Sequence, residues 1–160
     1  MAHTITLYPY SDVNLRHDSS RGSTGYNLIN EASTDTGTTY IYQTLSGSNA
    51  SLTSQFNCSE SSSDSSVPTG KIKIRSVTVE VVWTTVGENI NSITGSLTPG
   101  VAFGSGSYTT GTQSTKTNTS ENYTMTTTTI SNLPEEGNVY DNISYLNTKL
   151  QLVTTGRYTT

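Results

Sequence analysis

Lys71-Ile72-Lys73-Ile74-Arg75-Ser76-Val77-Thr78-Val79-Glu80-Val81-Val82-Trp83 alternates polar and apolar side chains along almost its whole length. Alternation is the period of a β-strand, whose successive side chains leave opposite faces, and Ile and Val suit a pleated, half-buried surface. The apolar phase changes once. Ile72 and Ile74 are even-numbered, whereas Val77, Val79, Val81 and Trp83 are odd-numbered. A one-residue shift moves every side chain across the sheet, so the change near Arg75-Ser76 predicts a β-bulge or a passage between sheets. Trp83, which closes the run, is expected to plug a core. Lys71, Lys73 and Arg75 share one face, read as a solvated one.

Shorter runs of the same kind lie on both sides. Thr4 to Tyr8 alternates and should stop at Pro9 as an edge strand, because proline lacks a backbone donor. Tyr26 to Asn30, Tyr40 to Leu45 and Leu52 to Phe56 are further expected strands. Downstream come Ile90 to Thr98, a turn at Pro99-Gly100, Val101 to Phe103, a flexible tip at Gly104 to Tyr108, Tyr123 to Ile130, and Tyr145 to Thr154. A short helix around Glu135 to Asn142 is the one helical expectation. Short strands separated by Gly, Ser and Asn read as a sandwich or jelly roll. The expected fold is an all-β antiparallel β-sandwich, jelly-roll-like, with about eight strands and little helix. One domain spans residues 1–160, with a Ser-rich surface loop at 59–69.

Composition agrees with a folded β domain. The 160 residues include 31% hydrophobic and only 12% charged side chains, and roughly a third are Ser or Thr. Disorder from composition normally needs high net charge and few aromatic or β-branched residues; here the net charge is −4 and there are ten tyrosines. Eight scattered Lys and Arg do not make a phosphate-binding surface, so no nucleic-acid partner is expected. No stretch is long and apolar enough to insert in a bilayer, and none reads as a signal peptide. The single cysteine, Cys58, reads as an incidental thiol.

No catalytic, metal or cofactor site is expected. His3 and His17 are the only imidazoles. A catalytic triad would require His17 to meet one of many serines, none of which the sequence singles out. Glu135 and Glu136 are adjacent and diverge on any regular backbone. Asp35, beside Thr36, Gly37 and Thr38, reads as an Asx-turn entering the Tyr40 strand, with a cation or sugar ligand as the alternative. The remaining candidates for binding are Tyr10, Tyr26, Tyr40 and Tyr42, amphipathic rings that stack on sugars or fill protein interfaces. Tyr40 and Tyr42 share one strand face, with Ile41 on the other; both are expected to pack in the sandwich with their hydroxyls reaching the rim, and an exposed binding face is the alternative.

The order of elements in the first quarter resembles a known family. Leu7-Tyr8-Pro9, the turn at Gly22-Ser23-Thr24-Gly25-Tyr26, the Asn30-Glu31 step and Asp35-Thr36-Gly37-Thr38-Thr39-Tyr40-Ile41-Tyr42 follow one another, and Gly70 to Val77 matches the long strand after them. This series resembles β-sandwich domains in structural proteins of tailed bacteriophages, over about half the chain. The family's loop often carries several successive Asp, of which only Asp35 stands here. The resemblance implies a non-enzymatic virion protein, assembled in the bacterial host cytoplasm and associated with the capsid as a decoration or head-fibre component. Its partners would be other virion proteins. A tail- or baseplate-associated carbohydrate-binding module, with a host-surface glycan as partner, is the alternative. Uncharged strands at Thr4 to Leu7, Tyr123 to Ile130 and Gln151 to Thr154 would leave sheet edges unprotected, which leads to an expected homo-oligomer or a bound neighbour.

Overall fold

The computed structural model describes residues 4–19, 25–29, 40–44, 50–60, 72–86, 92–118, 124–131, 133, 139–140 and 147–159. In chain order its strands are β1 (Leu7–Asn14), β2 (Asp18–Ser19), β3 (Ile41–Tyr42), β4 (Ala50–Glu60), β5 (Ile72–Lys73), β6 (Val77–Trp83), β7 (Ser92–Phe103), β8 (Thr109–Thr110), β9 (Ser114–Asn118), β10 (Thr124–Ile130), β11 (Val139–Tyr140) and β12 (Thr148–Thr159). The only helical element among the described residues is a 3₁₀ turn at Gly25–Leu28. Every pairing is antiparallel. The fold is therefore all-β, as the alternation predicted.

The main sheet runs β1-β4-β12-β7, with β8 and β9 both along the far edge of β7. β6 and β10 form a second sheet, and β2 pairs with β3 and β5 with β11 in two small ones. The two larger sheets face each other in a sandwich-like arrangement. Val79 of β6 and Ile130 of β10 pack with Val101 of β7, joined by Leu133 and by the half-buried Leu150 of β12. A second cluster gathers Phe56, Leu97 and Leu152 from the main sheet, against Val81 and Trp83 of β6. Odd positions of β6 point inward, which is the phase the sequence assigned to Val77 through Trp83. The phase change near Arg75 resolves as a passage between sheets: β5 pairs with β11, and β6 with β10.

Trp83 sits over a floor without side chains. A Cβ on Gly95 would lie 3.6 Å from its ring and 2.5 Å from the Thr85 methyl. The indole Nε1 donates to Thr126 Oγ1 at 2.8 Å. Lys116 of β9, the cross-strand partner of Gly95, lies over the ring with its Nζ 4.7 Å from the centroid. The same ammonium donates to the Trp83 carbonyl. Desolvation lowers the Lys116 pKa from its ordinary value.

Several boundaries differ from the sequence reading, each for a definable reason. Pro99 and Gly100 do not turn; they lie inside β7, and Pro99 is fully buried. Opposite them, β7 has two residues between Leu97 and Gly100, while its partner has three between Thr110 and Ser114. This is a β-bulge at Gly111 to Gln113, and Gly111 N donates to Pro99 O at 2.8 Å. In an antiparallel ladder a residue's N–H and C=O point the same way. The donor that Pro99 lacks would therefore point to the bulge, where the regular ladder is already interrupted.

Likewise β1 does not end at Pro9, because an edge strand tolerates the missing donor. The Tyr26 segment is not a strand but the 3₁₀ turn. Asp12 accepts the amides of Gly25 and Tyr26 at 2.9 and 2.8 Å, satisfying donors that a turn leaves unpaired. β3 keeps only Ile41 and Tyr42 of the longer strand expected there. Ser59 and Glu60 belong to β4, paired with Tyr8 and Leu7, so the Ser-rich loop does not begin at 59; residues 61–71 lie outside the described residues. Val139 and Tyr140, within the expected helix, are strand paired to Lys73 and Ile72, and the rest of that segment is outside the described residues. Most importantly, Gln151 to Thr154 is no edge. β12 is central, hydrogen-bonded to β4 on one side and β7 on the other.

Candidate functional site

Three features stand out: an aromatic pair, a polar sheet face and a buried histidine network. Tyr40 and Tyr42 flank Ile41, which packs into the core beside Phe56. Both rings therefore project outward; they are 41% and 40% exposed and meet edge-to-face with centroids 5.9 Å apart. Tyr10 is 51% exposed. The register explains why. On β1 the pairing jumps from Pro9↔Cys58 to Ser11↔Asn57 and from Asp12↔Phe56 to Asn14↔Gln55. Tyr10 and Val13 are the extra residues of two successive bulges, and both are among the exposed large hydrophobic side chains. Tyr26, unlike the other three candidates, is half-buried, packed against the Phe56 cluster.

The outer face of the main sheet is built from cross-strand rows. Ser51, Thr155, Ser96 and Thr115 align across β4, β12, β7 and β9. Beside them run Thr53, Val153 and Thr98, then Gln55, Gln151, Gly100 and Thr110. Arg157, Thr94 and Thr117 close one end, and Asn57, Lys149 and Ala102 the other. Ser96 and Thr155 hydroxyls bond to each other, Gln113 Nε2 donates to Ser96 at 3.1 Å, and Thr94 and Thr117 hydroxyls lie 2.9 Å apart. In these rows Lys149 and Arg157 are the only charges. A shallow depression of about 390 Å³ lies over Ser51, Ser96, Gln113, Thr115, Thr155 and Arg157.

On the inner face, His17 is buried among hydroxyls. Its Nδ1 lies 2.6 Å from Ser54 Oγ and its Nε2 2.7 Å from Thr154 Oγ1. Ser54 Oγ also accepts the backbone amides of Arg16 at 2.9 Å and of His17 at 3.1 Å. A hydroxyl has two acceptor lone pairs and one proton. Both lone pairs are occupied by amides, so the Ser54 proton goes to Nδ1. Nε2 then carries the ring proton and donates to Thr154, whose own proton goes to Gln43 Oε1 at 2.6 Å. The imidazole is neutral, and desolvation by burial lowers its pKa below the ordinary 6.5, against a smaller opposing effect of Asp18.

A serine beside an imidazole invites comparison with nucleophilic catalysis, but Ser54 is 0% exposed and gives both lone pairs to the backbone. This arrangement can hold segments together; it offers no attacking oxygen. Cys58 is similarly subdued, since burial pushes its thiol up to about 12. Among the described residues no group of three or more His, Cys, Asp and Glu could hold a metal ion. His3, Asp35, Glu135 and Glu136 lie outside the described residues. Ser54 and Thr154 had no signal in the sequence, where any of dozens of hydroxyls was an equal candidate; the β4–β12 register brings them to the same face.

Compared with protein-family models, characterised proteins and solved structures, the chain matches none of them.

Proposed function

We propose that this protein is a non-enzymatic structural component of a tailed-phage virion, a capsid-associated decoration or head-fibre-type protein that packs against neighbouring virion proteins. The series of short motifs in its first quarter suggests the setting. The observation that carries the docking role is the outer face of the main sheet: rows of Ser, Thr, Gln and Asn across β4, β12, β7 and β9, with Lys149 and Arg157 at its ends. Short hydroxyl side chains lose little rotamer freedom on packing, and depletion of charge at the centre of a patch is characteristic of interfaces. Mass spectrometry of purified particles tests this reading: the chain should be present at high copy number, and its absence from the particle refutes the assignment.

A tail-associated carbohydrate-binding module is the second reading, favoured by the exposed Tyr40–Tyr42 pair. Aromatic faces stack on sugar rings. A glycan array that lights up for the protein and goes dark for Tyr42→Ala supports it, while a uniformly blank array dismisses it.

A further inference from the structure

We propose that His17 is a pH-sensitive latch that fastens the small β2–β3 sheet, and with it the Tyr40–Tyr42 pair, to the main sheet, and releases it in mild acid. This inference stands independently of the virion assignment.

Besides the packing of Ile41 beside Phe56, the polar anchoring is concentrated in a few atoms. β2 begins at Asp18, directly after His17, and β3 ends at Tyr42, directly before Gln43. Thus one residue flanking each strand of the small sheet enters the same chain of hydrogen bonds: Ser54 to His17, His17 to Thr154, Thr154 to Gln43. Ser54 belongs to β4 and Thr154 to β12, both within the main sheet. The chain of bonds ends at Gln43, whose buried Nε2 has no hydrogen-bond partner among the described residues.

Protonation is incompatible with this pattern. A proton from solvent adds to Nδ1, and both ring nitrogens then donate. Nε2 keeps its bond to Thr154. Nδ1–H, however, now faces a hydroxyl whose two lone pairs hold the amides of Arg16 and His17 and whose own proton pointed at the ring. To accept from Nδ1, Ser54 must give up one of those amides. The imidazolium also loses solvation in a site that offers no anionic partner from the sheet, since Ser54 of β4, Thr154 of β12 and Gln43 are all neutral. Among the described residues the charges flanking the ring are Asp18, which favours the protonated form, and the exposed Arg16. The closed state holds His17 neutral, whereas the open state returns it to solvent near pH 6.5. The open population therefore grows as pH falls below about 6.5, by at most about tenfold per pH unit for a single proton.

Hydrogen exchange read by mass spectrometry, corrected for intrinsic rates at about pH 7.5 and about pH 5, tests the latch on the full chain. Segments 16–19 and 40–44 should lose protection at the lower pH, by about tenfold or more, and at both pH values should be less protected than β7 and β12, which open only with global unfolding. His17→Gln should remove the pH dependence. Should that variant fail to fold, Asp18→Asn carries the test, since Asp18 is exposed: without the carboxylate that favours the imidazolium in the closed state, the loss of protection at about pH 5 should deepen. Unchanged protection of 16–19 and 40–44 between the two pH values would overturn the proposal. So would protection of 16–19 and 40–44 equal to that of β7 and β12 at both pH values, which would mean that they open only with the whole fold, or a local opening that neither variant alters.

Discussion

Ser54 donates its proton to Nδ1 of His17 at 2.6 Å while its oxygen accepts two consecutive backbone amides, those of Arg16 and His17. One hydroxyl from β4 thus sets the tautomer of the imidazole and fixes the path of the chain leaving β1. Ser54→Ala keeps the residue's size within one atom but leaves these donors without an acceptor. Buried unsatisfied groups cost about 1–3 kcal/mol each, partly relieved here where water reaches the amides, so a total loss of about 2–4 kcal/mol is expected. Urea denaturation measures it; a change below about 0.5 kcal/mol would mean that the network contributes little.

His17 also makes global stability depend on pH, with a definite sign. Its folded pKa is lowered, so below 6.5 the unfolded chain binds a proton that the folded chain resists. Stability is full above about pH 6.5 and declines as pH falls below it, until the folded pKa is passed. The urea midpoint should follow that course, and His17→Gln should flatten it relative to the wild type in this window.

Gly111 couples the bulge in the main sheet to the opposing layer. A Cβ there would lie 2.4 Å from the Thr128 methyl and 3.2 Å from Ile130 Cγ1, side chains of β10. Thr128 is β-branched and buried, so it yields poorly, and Gly111→Ala should destabilise by about 1–3 kcal/mol. Combining it with Thr128→Ser, which removes the nearest methyl, should recover part of the loss. Thermal unfolding of the two variants checks both statements; no recovery in the double variant would place the clash elsewhere.

Cys58 should be slow to react. With its pKa at about 12 against an ordinary 9.0, the thiolate fraction at pH 8 falls by about a thousandfold. Ellman's reagent should label the folded protein far more slowly than the urea-unfolded chain, and equal rates would contradict the half-buried placement.

What the sequence made legible was periodicity. The Val77 to Trp83 phase placed Val79, Val81 and Trp83 inward, and its change near Arg75 marked the passage between sheets. Alternation also put Tyr40 and Tyr42 on the face opposite Ile41, but not which face is inward; the packing of Ile41 beside Phe56 decides that, and leaves the tyrosines outside where the sequence reading had packed them in the sandwich. What it concealed was pairing. Pro99 looks like a chain reversal because its own backbone is all that a local reading weighs, whereas its tolerance depends on a bulge that begins at Gly111, far along the chain. Tyr10 and Val13 are exposed because of register jumps against β4, which no feature of β1 announces. Leu152 and Val153 resemble an unprotected edge until β4 and β7 are placed on either side. The His17 partners are hidden for the same reason, because they depend on which strands are neighbours.

The outer face of the main sheet should tolerate charge in the free protein but not in the assembly. Thr98 is half-buried in the middle row between Val153 and the bulge. Thr98→Arg should leave the circular dichroism spectrum and Trp83 fluorescence unchanged, because the substitution points away from the core. Incorporation into particles should fall by about tenfold or more, the equivalent of about 1.4 kcal/mol at the interface.

Electron cryomicroscopy of the purified particle, at a resolution that shows side chains, tests the central claim most directly. The account predicts the chain in the particle at high copy number, with the row Thr53, Val153 and Thr98 covered by a neighbouring virion protein. A particle that lacks the chain, or one in which that row faces open solvent on every copy, would contradict it.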